Sequence, residues 1–272
     1  MARLAVVAYR AVVHPIEHLR YVARSGAVGG HALVRDTAYA LASLGADHAD
    51  LLISCRRILG RQPAAGPLWA ACARLVTATE PARLAWDLVD RDPVDVRAVA
   101  RHLPAGAAIV APAEWADIAV VAAAVDRADR PDDESPSPTV VVVDDGTGSA
   151  ERLRRSVARR DVEVVVVGPT ELGTRPVVFE PALVAIGTMI APAAVAATVA
   201  CAAGEAWAAV AEDDVLPAAF GVEALARIGD DPRWAAIDPD LVAGVVGASG
   251  RRPVGELATS VPFAPELLRA PI

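Results

Sequence analysis

Three short stretches of this chain are apolar from end to end, with no polar residue alternating through them. They are Ala107-Ala108-Ile109-Val110, Val140 to Val143 and Val164 to Val167. A strand with one face in water alternates apolar and polar residues. A strand that is apolar throughout must be covered on both faces. Each run leads into a turn or a helix-like stretch, and such alternation predicts parallel strands joined by crossover helices. Two later runs extend the series, Ala182 to Ile186 and Ala206 to Val210. Helices are expected over 115–129, 149–159, 191–203 and 220–227. Right-handed crossovers then make a doubly wound, mostly parallel sheet.

The preceding hundred residues read differently. Ile16, Leu19, Val22 and Ala23 recur at helical spacing. So do Ala32, Leu33, Ala38, Leu41 and Leu44, with Gly45 as a stop, and Leu51, Leu52, Cys55, Ile58 and Leu59. A fourth helix runs from Trp69 to Val76, and Asp92-Pro93 suits the start of a fifth. The expected fold class is therefore α/β. A helical N-terminal domain (1–103) is followed by a Rossmann-like domain (104–272).

Composition closes off several functions. All 26 basic residues are arginine, which points to a GC-rich bacterial genome and rules out lysine Schiff bases and a phosphate-loop lysine. Against 34 acids they leave a net charge of −8, which argues against nucleic acid as a general partner. With 54% apolar but only 4% aromatic residues, the core must be built from Ala, Val and Leu. Cys55, Cys72 and Cys201 are far apart in sequence and read as free thiols of a reducing compartment. No signal peptide is visible, and the longest nearly apolar run, Ala191 to Ala203, is too short to span a bilayer. A cytoplasmic protein without membrane attachment is expected.

Several segments could carry chemistry. Val143 is followed by Asp144-Asp145-Gly146-Thr147-Gly148-Ser149. That places two carboxylates and a glycine turn at a strand's carboxyl end, where ligands of open α/β sheets lie. The turn also has the look of an adenosylmethionine loop, although it follows the second strand rather than the first. Arg152, Arg154, Arg155, Arg159 and Arg160 read as a solvated helix face, and 130–138 as a proline-rich surface loop. His14-Pro15-Ile16-Glu17-His18 has the letters of an inverted zinc motif. Pro15 pushes His14 out of the helical register, and no third ligand motif accompanies it. No metal or cofactor is expected. Gly247-Ala248-Ser249-Gly250 lacks the spacing of a serine nucleophile turn.

Two N-terminal segments carry a resemblance. Ser25-Gly26-Ala27, ahead of a helix, resembles the small-residue turn beneath a bound phosphate in the family of translation initiation factor 2B α, β and δ subunits. That family also holds the isomerases of methylthioribose 1-phosphate and ribose 1,5-bisphosphate. Arg61-Gln62-Pro63 followed by Ala65-Gly66-Pro67-Leu68 is similar to its Arg-Pro-Thr segment, in which arginine grips phosphate. Ile237 to Val246 and Pro265-Glu266-Leu267-Leu268 look like its C-terminal segments.

The resemblance implies a divergent bacterial member with a sugar phosphate or nucleoside monophosphate in an interdomain cleft. Arg24, Ser25, Gly26, Ala27 and Arg61 would face phosphate, and Asp144, Asp145 and Gly146 the sugar. It also implies a homodimer. The family's catalytic thiol has no counterpart in Val110-Ala111-Pro112-Ala113-Glu114. Its catalytic aspartate has none either, because the matching strand ends Val184-Ala185-Ile186-Gly187-Thr188-Met189. The expected role is non-catalytic, in regulation or assembly. The alternative is a sugar-phosphate isomerase working through Glu114 with Asp144 or Asp145.

Overall fold

The computed structural model describes residues 30–44, 47–90, 96–112, 116–129, 139–143, 163–167, 172–202, 205–210 and 214–269. The chain divides into two compact units. One contains 1–92 together with 262–272, and the other contains 93–261. The expected α/β class, helical first and Rossmann-like afterwards, is what the described residues build.

The first unit holds four helices among its described residues: α1 (Gly30–Leu44), α2 (His48–Arg61), α3 (Gly66–Thr77) and α4 (Pro81–Asp90). The Asp47 carboxylate accepts from the Asp50 N–H at 2.9 Å and so caps α2. Leu51, Cys55, Ile58 and Leu59 then recur on its buried face. Gly66 and Pro67, read from the sequence as turn, already belong to the first turn of α3. Proline costs nothing there, because the N–H it lacks would have no partner in the helix. Trp69 is fully buried, and its indole N–H donates to the Pro63 carbonyl at 2.9 Å, which pins the short connection. Helix α4 was not among the helices expected from the sequence. It buries Ala85 and Leu88, and its half-exposed Trp86 meets Tyr39 edge to face at 5.9 Å.

The C-terminal segment completes this unit through a contact that no local pattern encodes. The buried Arg56 guanidinium donates Nε–H to the carbonyl of Glu266 at 2.8 Å. Leu267 buries beside that anchor in a short 3-10 turn, Pro265–Leu268.

The second unit starts with α5 (Val96–Ala100) and continues with β1 (Ala108–Pro112), α6 (Ala116–Asp129), β2 (Thr139–Val143), β3 (Glu163–Val167), β4 (Val177–Phe179), β5 (Leu183–Ala185) and β6 (Thr188–Pro192). After these come α7 (Ala193–Ala200), β7 (Ala206–Ala209), α8 (Ala218–Ile228), β8 (Trp234–Ile237), β9 (Val242–Gly247) and β10 (Gly250–Pro253). The main sheet has the order β10-β9-β7-β4-β1-β2-β3, parallel except for the β9–β10 hairpin. Ranked by sequence, its six parallel strands stand 3-2-1-4-5-6, the Rossmann order.

The apolar runs are explained by the two cores. Ile109, Ala111, Val140, Val142 and Val178 pack on one face with Val99, Ala122 and Ala123 of α5 and α6. Ala108, Val110, Val141, Val143 and Phe179 pack on the other with Val195 and Val199 of α7. The interior positions of β1, β2 and β4 are therefore covered on both faces.

One strand expected from the sequence has a different role. Ala182 to Ile186 does not supply a parallel strand. Its residues form β5, an edge of a separate antiparallel sheet, β5-β6-β8. The parallel strand is β4, five residues earlier in the chain and only three residues long. The helices expected over 115–129, 191–203 and 220–227 are α6, α7 and α8, the last two with shifted ends. The helix expected over 149–159, the N-terminal helix and the 130–138 loop lie outside the described residues.

The far edge of the main sheet depends on one glycine. Gly244 of β9 lies between Trp207 of β7 and Pro253 of β10. A Cβ there would stand 2.1 Å from the Arg252 carbonyl oxygen and 2.7 Å from the Trp207 ring. The first neighbour is backbone and cannot rotate away. Gly244→Ala is expected to destabilise the protein by about 2 kcal/mol or more. Urea unfolding followed by Trp fluorescence checks this; unchanged stability would show that the edge strand relaxes freely.

Candidate functional site

Strand order determines where a ligand can sit in such a sheet. From β1 the chain moves outward to β2 and β3, then returns past β1 to β4 and continues outward to β7 and β9. Successive connections thus leave β1 and β4 on opposite sides, the arrangement that in open α/β sheets makes a ligand crevice beyond their carboxyl ends. The two strands pair in register, Ala108 with Val177, Ile109 with Val178 and Val110 with Phe179. The residue that follows Phe179, at the mouth of this crevice, is Glu180.

Glu180 is the chemical feature of the site. Its side chain keeps a little contact with solvent, yet protein surrounds it closely. Burial disfavours the ionised form and pushes its carboxyl up from the ordinary value to about 7. Among the described residues no cation or hydrogen-bond donor offsets that penalty. At neutral pH the group is thus divided between its acid and carboxylate forms. Among the described residues, the other carboxyl with a clear displacement is Asp231, which behaves oppositely. Hydrogen bonds from the Arg233 side chain hold it down at about 2 on the protein surface. That pair is local and structural.

At the opposite, amino-terminal edge of the sheet, Arg175 donates to the Thr139 hydroxyl at 2.6 Å. This contact ties the entry of β4 to the start of β2 and has no part in the crevice.

Sequence reasoning missed Glu180. It assigned the strand to Ala182–Ile186 and therefore found no carboxylate at the strand's end. With β4 in its true position, a carboxyl follows the strand directly. The signal that could have found it is Glu180-Pro181, a polar residue and a strand breaker closing the run Val177-Val178-Phe179.

Of the residues singled out from the sequence, Arg61 is described. It is the last residue of α2 and is exposed, in the first unit. Arg24, Ser25, Gly26, Ala27, Glu114, Asp144, Asp145 and Gly146 lie outside the described residues, as do His14 and His18. In sequence, Glu114 comes two residues after β1 and Asp144 directly after β2, and the ends of those strands pair Pro112 with Val143. Ala248 and Ser249 form the tight turn between β9 and β10. Among the described residues no three His, Cys, Asp or Glu side chains gather as metal ligands, and no helix is long and apolar enough to cross a membrane.

No family model matches the chain, and no curated protein does. Among solved structures it is similar to eIF2B beta from Chaetomium thermophilum, with a TM-score of 0.57 over 94% of this chain and 92% of that one. Identity is 10%, so the likeness concerns the fold: the chain has an eIF2B-like fold.

The displaced Glu180 carboxyl has a direct consequence for stability. The folded protein holds the Glu180 proton more tightly than the unfolded chain does, so between about pH 4.5 and pH 7 the native state binds more protons. Stability from this group is complete below the unfolded value and is lost as pH rises through about 7. Glu180→Gln removes the dependence. The variant should match the parent at pH 4 and exceed it at pH 8 by about 1–3 kcal/mol. Urea unfolding at the two pH values checks this, and a variant less stable at pH 8 would show that the carboxylate has a cationic partner.

Proposed function

We propose that this protein binds a phosphorylated small molecule, a sugar phosphate or a nucleoside monophosphate, at the carboxyl end of its parallel sheet. In this reading the role is regulatory or one of assembly, without turnover. The observation that supports it is Glu180. A carboxyl half in its acid form, at the crevice between β1 and β4, can donate to or accept from a ligand hydroxyl. Nothing in the packing of the sheet needs that group, and an apolar residue would be more stable there. Arg61, with Arg24, Ser25, Gly26 and Ala27, keeps the phosphate role proposed from the sequence. Asp144, Asp145 and Gly146 keep the sugar. A cytoplasmic homo-oligomer, which the resemblance in sequence implied, is the working form in this reading.

A second reading, a sugar-phosphate isomerase, is favoured by the same residue. Aldose–ketose exchange moves a proton between adjacent carbons. A carboxyl near pKa 7 is populated in both the accepting and the donating form at neutral pH. Glu180 would then shuttle the proton, in place of or together with Glu114 and Asp144 or Asp145.

The two readings separate in one set of measurements. Thermal unfolding is followed with a panel of pentose phosphates and nucleoside monophosphates, beside Glu180→Ala and Arg61→Ala. A ligand at ~100 times its dissociation constant adds about 2.7 kcal/mol. The expected result is a clear upward shift in Tm that Glu180→Ala abolishes and Arg61→Ala reduces, with no product by phosphorus NMR. Product formation lost in Glu180→Gln would replace the binding role with the isomerase. The absence of a shift throughout the panel would remove both.

A further inference from the structure

The C-terminal segment sits on the first unit in the manner of a bound peptide. The chain leaves that unit at residue 93 and returns at 262, after the whole second unit has been built. From Val261 to Leu267 burial recurs at every third residue. Val261, Ala264 and Leu267 are buried, and the pairs between them are exposed. Polyproline and 3-10 backbones both have three residues per turn, so such a segment lies with one face down on a surface. Pro262 and Pro265 suit that use. They fix their own φ, carry no N–H to leave unpaired, and reduce the freedom lost on docking.

Two contacts define the receiving surface on α2. The buried Arg56 donates Nε–H to the Glu266 carbonyl at 2.8 Å, and the next residue, Leu267, is fully buried. A hydrogen bond from a charged donor is roughly twice as strong as one between neutral groups. The surface therefore reads a backbone carbonyl followed at once by a leucine. The bonds Leu267 N–H to Ala264 carbonyl (3.1 Å) and Arg269 N–H to Glu266 carbonyl (3.4 Å) close within the segment itself. Its other end is held separately, in the second unit. The Ser260 N–H donates to the Val215 carbonyl at 3.1 Å, and the Ser260 hydroxyl accepts from the Val215 N–H at 3.2 Å.

We propose that the Arg56 face of α2 is a peptide-docking site and that residues 262–269 are its built-in occupant, a clip that leaves and returns without unfolding the helix beneath. The anchor at Ser260 keeps a released clip tethered. A short tether gives an effective concentration on the order of millimolar, so the site refills at once. While docked, the clip shuts out any other peptide of the same chemistry, extended, proline-spaced and with a carbonyl ahead of a leucine. Release would open the Leu267 slot and leave the Arg56 cation without the Glu266 carbonyl. The clip does not depend on what binds at Glu180.

The test uses full-length protein and a fluorescein-labelled synthetic peptide of residues 259–272, with binding read by anisotropy. In the wild-type protein the docked clip blocks the site. In Leu267→Asp the chain's own clip is released, and the peptide should bind at least ~10-fold tighter than it does to wild type, because the tethered competitor is gone. Adding Arg56→Met, which keeps the stem without the donors, should remove that binding. A folded Leu267→Asp protein that takes up the peptide no better than wild type, or binds it as well without Arg56, would overturn the proposal. Amide hydrogen exchange in the wild-type protein is the second measurement, and it decides alone should Leu267→Asp fail to fold. The Leu267 and Arg269 N–H groups should exchange together, at least ~10-fold faster than that of Leu59 in α2. One common rate for all three would overturn the proposal equally.

Discussion

The parallel pairing of β1 with β4 is the constraint on which the second unit depends. It brings together segments separated by nearly seventy residues of chain, and it determines which helices lie on each face. Both faces are covered, so the strands can hold little besides Val, Ala and Ile in their interiors. Polar chemistry is thereby confined to the strand ends. The amino-terminal end is held by the structural contact between Arg175 and Thr139. The carboxyl end at the crevice has Glu180. Position in the fold, rather than any short motif, separates the two roles.

Glu180 also carries an energetic argument. A carboxyl pushed up to about 7 by burial alone costs the native state stability at any pH where it ionises. Structural carboxyls usually behave like Asp231, which lies below its ordinary value because a cation meets it. Under the proposed binding role, that cost to the empty protein is offset when a ligand meets the group. A donor from a ligand hydroxyl would stabilise the carboxylate and bring its pKa down. Binding at this site would therefore be coupled to proton release near neutral pH.

Much of this architecture is legible in the sequence, for identifiable reasons. The valine runs of β2 and β3 are unambiguous because continuous apolar residues have few other uses at that length. Helices α1, α2 and α3 show their apolar spacing plainly. Strand β4 is not legible. It has three residues, and the longer apolar run at Ala182–Ile186 competes with it and wins on length alone. Pairing decides the matter: Val177, Val178 and Phe179 find β1 and β7, while Leu183 to Ala185 find only the antiparallel β6. The error moved the strand end away from Glu180, so one misplaced strand concealed the main feature of the candidate site. The Arg56–Glu266 contact is hidden for another reason. Its partners are 210 residues apart, and the acceptor is a backbone carbonyl that no residue type announces.

The same small-residue composition acts differently in the two units. In the sheet, alanine and valine fill a thin, doubly covered layer. In the helical unit, Ala70, Ala71 and Ala73 are buried on α3 beside Leu68, Leu75 and Val76. Trp69, the largest fully buried side chain there, acts instead at the connection itself, where its N–H holds the Pro63 carbonyl. The connection between α2 and α3 is thus fixed by an indole.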